Sequence, residues 1–252
     1  MELIVHPDAG LLAKATAARL VTALVDAQAR RGEASLVLTG GGIGIALLRA
    51  VRTSPALDAV AWSKVDVWWG DERFVPADSA DRNALQAREA LLDHVPVDEK
   101  RVFEMGALAP VGAAPEVGGG YAQPEQAAAE YAAALASRAP AGAAVPAFDV
   151  LLLGIGPEGH VASIFPHSPA AVAKEPVVAV RDSPKPPPIR VSLTFPAIQA
   201  AREVWVIAAG EEKADAVAAA ASADPLDLPA AGARGLDRTL WLVDRAAGSR
   251  VG

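Results

Sequence analysis

The chain is predicted to fold as an α/β protein with a doubly wound, mostly parallel sheet and helices on both faces. Short apolar segments of strand length alternate from end to end with longer Ala-rich segments of helical period. Several of the strand segments are apolar at nearly every position, which is typical of parallel strands covered on both faces. Strands separated by helices favour parallel pairing through crossover connections.

The individual elements follow from the same periodicities. Strands are predicted at residues 3–5, 35–38, 65–69, 148–153, 190–193, 204–208 and 239–243. Helices are predicted at residues 8–31, 45–52, 82–92, 125–137 and 211–221. Residues 106–120 are rich in Gly, Pro and Ala without a period and are predicted to be a loop, and the proline run at 184–188 can continue neither a helix nor a central strand. No repeat or break in composition divides the chain, so residues 1–252 are predicted to form a single domain.

Composition restricts the function. Of the 252 residues, 52% are hydrophobic and 21% charged, which indicates a folded protein with a substantial core. The net charge of −7 argues against a nucleic-acid surface, so an anionic substrate needs a local basic cluster. The absence of cysteine excludes disulfides and thiolate chemistry and fits a reducing compartment. Neither a secretory signal nor a membrane span is recognisable, so a cytoplasmic location without a membrane partner is expected.

A glycine-rich segment at residues 154–166 is the most informative motif. It follows an apolar strand and carries Glu158 and His160 between glycines. A histidine on such a loop, at the carboxyl end of a buried strand, lies where open α/β sheets bind ligands, and it is a candidate general base. A plain turn whose histidine bonds the backbone is the alternative. The four histidines lack the spacing of metal ligands, so no metal site is predicted.

A second glycine loop lies between a strand and a helix at residues 39–44. Its glycines are Gly40, Gly41, Gly42 and Gly44. Free N–H groups at a helix N-terminus form an anion site, and phosphate is the typical occupant. A dinucleotide loop of the short-chain dehydrogenase type is disfavoured, because the residues four positions after Tyr121 and Tyr131 are Glu125 and Leu135 and not lysine. A turn needed only for packing remains the other alternative.

Charged residues elsewhere complete the candidate site. Asp71, Glu72 and Arg73 follow a strand directly, and an arginine there can bind a carboxylate, a phosphate or a developing oxyanion. The remaining candidates are Lys185 on the proline-rich segment, Arg190 at the start of a strand, and Lys213 near a helix N-terminus. A cation at that end of a helix is unfavourable, which favours a functional reason for Lys213.

Taken in order, these stretches resemble the 6-phosphogluconolactonases over nearly the whole chain. The most specific features are the loop at 154–166 and the Ser-Pro-Lys-Pro-Pro segment at 183–187. The resemblance implies a Rossmann-like fold shared with glucosamine-6-phosphate deaminase and hydrolysis of a phosphosugar lactone without metal or organic cofactor. It implies His160 as base, Arg73 at the oxyanion or sugar hydroxyls, and Asp71 or Glu158 orienting the imidazole. The implied substrate-binding residues are Gly40, Gly41, Gly42, Gly44, Asn83, Lys185, Arg190 and Lys213.

The chain departs from the family pattern at three points. Gly42 and Ile43 stand where most relatives have Ser-Thr, so backbone contacts to phosphate replace hydroxyl contacts. Glu158 stands where an Asp is usual, and Arg82 precedes Asn83 in place of a Ser and is a candidate additional phosphate contact.

Two other functions are weighed against lactone hydrolysis. A sugar-phosphate deaminase shares the glycine loop with histidine, but residues 162–166 continue as in the lactonases. A non-catalytic sugar-phosphate sensor domain is usually attached to a DNA-binding segment, and the acidity of this chain disfavours DNA. The expected state is a monomer or a homodimer.

Overall fold

The computed structural model describes residues 2–110 and 120–251. The strands are β1 (Glu2–His6), β2 (Ala34–Leu38), β3 (Val65–Trp69), β4 (Asp71–Arg73), β5 (Ala107–Leu108), β6 (Gly120–Tyr121), β7 (Val150–Gly154), β8 (Val177–Val180), β9 (Arg190–Leu193), β10 (Glu203–Ala208) and β11 (Arg238–Asp244). The α-helices are α1 (Ala9–Arg31), α2 (Gly41–Arg52), α3 (Asn83–Ala90), α4 (Pro124–Arg138), α5 (Phe195–Ile198) and α6 (Ala214–Ala219).

A six-stranded sheet is the centre of the fold, with strand order β1-β11-β10-β7-β2-β3 and parallel pairing throughout. From β2 the chain continues to β3 at one edge, whereas from β7 it continues through β10 and β11 toward the other edge. The β2–β7 boundary is therefore a topological switch point, where the loops after two adjacent strands diverge and leave a crevice. The predicted doubly wound, mostly parallel α/β class is confirmed.

Each central strand contributes alternate side chains to two cores on opposite faces. Leu151 and Leu153 of β7 lie in one core, and Leu152 between them lies in the other. Because both faces are covered, these strands are apolar at nearly every position instead of alternating with polar residues. Helices α1, α2 and α3 pack on the second core, and α4, α5 and α6 pack on the first.

Local signals explain the bounds of the long helices. The side chain of Asp8 accepts a hydrogen bond from Leu11 N at 2.8 Å and caps α1, and Gly32 ends it in the left-handed region at φ 80°. Pro124 opens α4 in the first turn, where its missing N–H costs no hydrogen bond. None of the helices in residues 2–110 and 120–251 is long and apolar enough to cross a membrane.

A second, antiparallel sheet of three strands was not predicted. It has the order β4-β9-β8, so the segment at 190–193 is a strand of this sheet and not of the parallel one. Asp71–Arg73, which the sequence pattern assigned to no element, is an edge strand paired with Arg190–Ser192. The consequence for function is that β9 fixes the charged triplet in place.

The remaining differences lie at element ends. Helix α2 begins at Gly41, four residues before the predicted start, and the predicted 211–221 helix is a 3₁₀ turn at Glu211–Lys213 followed by α6. Within the predicted 106–120 loop, β5 and β6 form a short parallel pair, and residues 111–119 lie outside the described residues. That the chain is a single domain remains a prediction.

Candidate active site

Four loops meet at the carboxyl edge of the central sheet because the strands before them are neighbours. Strands β10, β7, β2 and β3 lie side by side, and the loops after them carry the predicted base, the predicted anion site and the charged segments. The hydroxyl of Thr39 accepts a hydrogen bond from Gly154 N at 3.1 Å and joins two of these loops directly. The sheet topology thus brings together residues that are far apart in sequence.

These loops enclose a cleft of about 520 Å³. Its lining includes ten of the twelve predicted site residues. The two that do not line it are Gly44 and Glu158, which lies beside the cleft against His160. A second cavity of about 560 Å³ lies at the opposite, amino end of the sheet. There Asp149 is paired with Arg31 and Arg202, and no histidine lines the cavity. Of these two cavities, only the first combines an imidazole with an anion site among the described residues.

The N-terminus of α2 provides the anion site. Gly40 is the N-cap residue, so the N–H groups of Gly41, Gly42 and Ile43 have no partner within the helix. Gly41 has φ 80°, a left-handed conformation that favours glycine. Because Gly40, Gly41, Gly42 and Ile43 all line the cleft, their N–H groups are available to an anionic ligand there.

Gly44 does not belong to this anion site. It is buried and does not line the cleft, and its N–H is the first that bonds within the helix. A Cβ at Gly44 would lie 2.6 Å from the carbonyl oxygen of Thr39, so glycine is needed for close packing. Ile43, which was not predicted, lines the cleft in place of Gly44.

The two exposed glycines of this turn give a matched test. Gly42→Ala is expected to be tolerated or slightly stabilising, since a Cβ there meets no atom within 4 Å and alanine favours the helix by up to about 1 kcal/mol. Gly41→Ala is expected to lower the free energy of unfolding by about 1–2 kcal/mol because of its left-handed φ. Urea unfolding of both variants measures this, and equal losses would contradict the assigned turn.

Asn83 lines the cleft next to the anion site, and Glu72 holds the start of α3 behind it. The Nδ2 group of Asn83 donates to the carbonyl oxygen of Asp71 at 2.9 Å, and its side chain occupies the position that a Cβ of Gly40 would need. Its Oδ1 is buried without a hydrogen-bond partner among the described residues. Glu72 is fully buried and accepts from the N–H groups of Asn83 and Ala84, so it caps α3.

Arg82 does not reach the cleft, contrary to its interpretation as an extra phosphate contact. Its guanidinium donates to the carbonyl oxygen of Met105 at 2.7 Å and lies 3.8 Å from Glu72. Burial raises the pKa of Glu72, while Arg82 and the amides of α3 oppose that rise. Arg82 therefore stabilises the negative charge of the buried Glu72 and does not contact a ligand in the cleft.

His160 lies in the cleft with its side chain 16% exposed. Its ring is 4.6 Å from the ring of Phe165 between centroids, and a Cβ at Gly156 would lie 1.9 Å from Nδ1. The imidazole is thus held between a phenyl ring and a bare glycine backbone. Nδ1 is the buried ring nitrogen and has no hydrogen-bond partner among the residues that the structure describes. Since the ring lines the cleft, Nε2 is the nitrogen available to a reactant there.

Glu158 is the carboxylate next to the imidazole. Its Oε1 lies 3.0 Å from Nδ1, an ion-pair distance, but off the N–H axis that a well-formed hydrogen bond needs. Asp71 instead accepts the hydroxyl of Ser163 at 2.6 Å. Of the two acids left open by the sequence, the geometry favours Glu158 as the partner of His160.

The charges around His160 act on its pKa in opposite directions. Burial is the largest cause and lowers the pKa of His160, and Lys185 lowers it further, while Glu158 and Asp71 raise it. The net effect is a pKa below the ordinary value of 6.5. A histidine of this kind is neutral at neutral pH and can accept a proton.

Two lysines face the anion site. Lys185 Nζ lies 3.1 Å from Glu158 Oε2, and Lys213 Nζ lies 3.9 Å from Glu212 Oε1. Burial lowers the pKa of Lys213, and the charge of Lys185 adds to this effect. Both ammonium groups line the cleft and repel each other, an arrangement that a bound dianion would relieve.

The two arginines of the cleft differ in how many of their guanidinium donors already bind acceptors within the protein. Arg73 donates from Nη1 to the carbonyl oxygen of Asp81 at 2.7 Å, and its buried Nε has no partner among the described residues. Arg190 donates from Nε to Pro187 O at 3.1 Å and from Nη2 to Lys185 O at 3.0 Å. Arg73 retains donors for a ligand, whereas the contacts of Arg190 favour a positioning role over the predicted phosphate contact.

Three residues that contact the predicted ones were not singled out from the sequence. They are Gly156 behind the imidazole, Phe165 against its face, and the buried Ser163. All three lie in the motif at 154–166, but nothing in its spacing shows which side chains turn inward. In the described ranges no group of three or more His, Asp or Glu residues is arranged to hold a metal ion.

Known proteins with a similar sequence or fold point to one class. The family model described as "Glucosamine-6-phosphate isomerases/6-phosphogluconolactonase" matches residues 7–241. The chain is 56% identical to the 6-phosphogluconolactonase of Streptomyces coelicolor, over 99% of this chain and 94% of the relative. It is 51% identical to that of Mycobacterium tuberculosis, over 98% and 97% of the two chains.

Solved structures agree with these relatives. The 6-phosphogluconolactonase from Trypanosoma brucei has a TM-score of 0.82 at 29% identity and covers 100% of this chain and 98% of its own. A monomeric glucosamine-6-phosphate deaminase has a TM-score of 0.79 at 18% identity, covering 99% and 100%, which shows a shared fold alone.

The fold and the cleft define an α/β enzyme of the sugar-phosphate type, with an anion site and an imidazole at the switch point of a parallel sheet. The chain belongs to the glucosamine-6-phosphate isomerase/6-phosphogluconolactonase family, and the resemblance found in the sequence is confirmed. Within this family it is a carboxylic ester hydrolase.

Proposed function

We propose that the chain hydrolyses 6-phospho-D-glucono-1,5-lactone to 6-phospho-D-gluconate, the lactone step of the oxidative pentose phosphate pathway, in the cytoplasm. The observation that carries this proposal is the presence of His160 and the amides of Gly41–Ile43 in one cleft. The names of the curated relatives support the same substrate.

The phosphate binds at the N-terminus of α2 in this proposal. The N–H groups of Gly41, Gly42 and Ile43 donate to its oxygens, and Lys213 and Lys185 supply positive charge. Binding at a group remote from the reacting carbonyl orients the lactone toward His160, and this is how binding energy accelerates the chemical step.

The chemical step uses one proton carrier. His160 Nε2 accepts a proton from a water molecule as the water oxygen bonds to C1 of the lactone. The tetrahedral intermediate collapses by breaking the bond between C1 and the ring oxygen, and the imidazolium returns its proton to that oxygen. Arg73 donates to the oxyanion or to sugar hydroxyls, Glu158 keeps the imidazole oriented, and Asp71 and Asn83 contact the sugar.

An assay with two substrates tests this proposal. Freshly prepared 6-phosphogluconolactone should disappear faster with enzyme than by spontaneous hydrolysis, and glucosamine 6-phosphate should release no ammonia. Ammonia release without lactone hydrolysis would establish the deaminase alternative, and binding of 6-phosphogluconate without turnover would establish the sensor alternative.

The pH dependence follows from the charges around the base. Because protonated His160 cannot accept a proton, kcat/KM should fall as the pH drops through a pKa below 6.5. Lys185→Met removes a charge that lowers this pKa, so the acid limb should move to higher pH. Glu158→Gln removes one that raises it, so the limb should move to lower pH. Profiles of kcat/KM measure both, and shifts in the same direction would contradict the assignment.

A further inference from the structure

Ser163 contains a buried hydroxyl at the back of the cleft, three residues after the base. Its side chain is 0% exposed, and Oγ donates to Asp71 Oδ2 at 2.6 Å, a length typical of a hydrogen bond to a charged carboxylate. The same Oγ lies 3.5 Å from Nη1 of Arg190 as an acceptor. Its backbone N–H donates to Ser192 Oγ at 3.1 Å. The hydroxyl therefore connects the carboxylate of Asp71 to the guanidinium of Arg190, and both residues line the cleft.

Asp71 is fixed through only one of its oxygens. Oδ2 accepts from Ser163 and lies 3.8 Å from Arg190 Nη1, whereas Oδ1 has no hydrogen-bond partner among the described residues. The residue is 7% exposed and lines the cleft. With Oδ2 held from behind, Oδ1 is the oxygen left for a ligand, and an ionised carboxylate oxygen accepts hydrogen bonds only.

Arg190 connects Ser163 and Asp71 to residues 185–187, the segment that carries Lys185. Its other donors bind carbonyl oxygens of Lys185, Pro186 and Pro187, so the guanidinium holds the segment that carries the Lys185 ammonium. Ser163 thus lies between three parts of the site: the loop of the base, the end of β3 with β4, and the segment before β9. Removing its hydroxyl frees Asp71 and leaves Arg190 without that acceptor.

We propose that Ser163 is a positioning residue that holds Asp71 so that Oδ1 accepts a hydrogen bond from a hydroxyl of the sugar lactone. This rests on the proposed function. The ligand class is a polyhydroxylated lactone ring, since a ring without hydroxyls offers no donor to a carboxylate. Ser163 itself does not contact substrate and acts through Asp71.

A double-mutant cycle tests the proposal. Ser163→Ala, Asp71→Asn and the double variant are compared by kcat/KM for 6-phosphogluconolactone. Ser163→Ala alone is expected to lower kcat/KM about tenfold, and in the Asp71→Asn background it is expected to change kcat/KM by less than about twofold, since contacting residues that act together are not additive. Ser192→Ala is the matched control, because Ser192 is equally buried, and its hydroxyl bonds to Ser163 N and Leu193 O and not to the carboxylate of Asp71.

The outcomes separate this proposal from the proposed function. Wild-type protein without lactonase activity would overturn the function, whereas an active wild type with equal effects of Ser163→Ala and Ser192→Ala would overturn only the role of Ser163. Additive effects of Ser163→Ala and Asp71→Asn would also overturn it. If Ser163→Ala does not fold, Ser163→Cys takes its place in the cycle, because it keeps the size and weakens the donor.

Discussion

Replacing His160 by glutamine is expected to lower kcat for the lactone by about 10²- to 10⁴-fold, the range that a general base supplies. Glutamine keeps a polar side chain of similar length but cannot accept and return a proton at neutral pH. The effect should fall on kcat, because the phosphate contacts that determine binding are made by other residues in this account. Initial rates, corrected for spontaneous hydrolysis, measure it.

His167→Gln is the matched control for this change. His167 lies in the same chain segment, but its side chain is 66% exposed, and its only ion-pair neighbour in the described residues is Asp227 at 3.3 Å. It does not line the cleft. Near-normal turnover by a folded His160→Gln variant would contradict the assignment of His160 as the general base.

Replacing Lys213 by methionine is expected to raise KM for the phosphorylated lactone about 10- to 100-fold. A charge-assisted hydrogen bond contributes about 1.5–3 kcal/mol, and about 1.4 kcal/mol corresponds to a factor of ten. Methionine retains the apolar stem that the cleft partly buries, so the change removes mainly the charge. Hydrolysis of D-glucono-1,5-lactone, which has no phosphate, should change little.

Lys64→Met provides the comparison for charge alone. Lys64 is exposed and precedes β3, at the amino end of the sheet opposite the cleft. It should leave KM for both lactones unchanged. If Lys213→Met raises KM for both lactones equally, Lys213 does not recognise the phosphate.

The sequence was sufficient for the parts of the fold that depend on local patterns. Apolar runs such as 148–153 predicted strands buried on both faces, and the two glycine loops were predicted to follow strands. Strand β4 was not predicted, because three charged residues have no strand pattern and are ordered by pairing with β9. Strand β8 was missed as well, since its four residues form a strand only against the same partner.

The site was predictable as a set of residue types and less so as a set of contacts. His160, Arg73 and the lysines come together because β10, β7, β2 and β3 are adjacent, a strand order that the sequence does not contain. The same limit applies to Arg190, whose charge indicated a phosphate contact while its donors bind carbonyl oxygens of residues 185–187. Which atoms an arginine contacts depends on the folded loop around it.

The most direct test of the account is a crystal structure with the product 6-phosphogluconate bound. We expect the phosphate oxygens at the N–H groups of Gly41, Gly42 and Ile43 with Lys213 beside them. We also expect a carboxylate oxygen of the product within hydrogen-bonding distance of His160 Nε2. A phosphate bound away from the N-terminus of α2, or a carboxyl group remote from His160, would contradict the arrangement on which the mechanism depends.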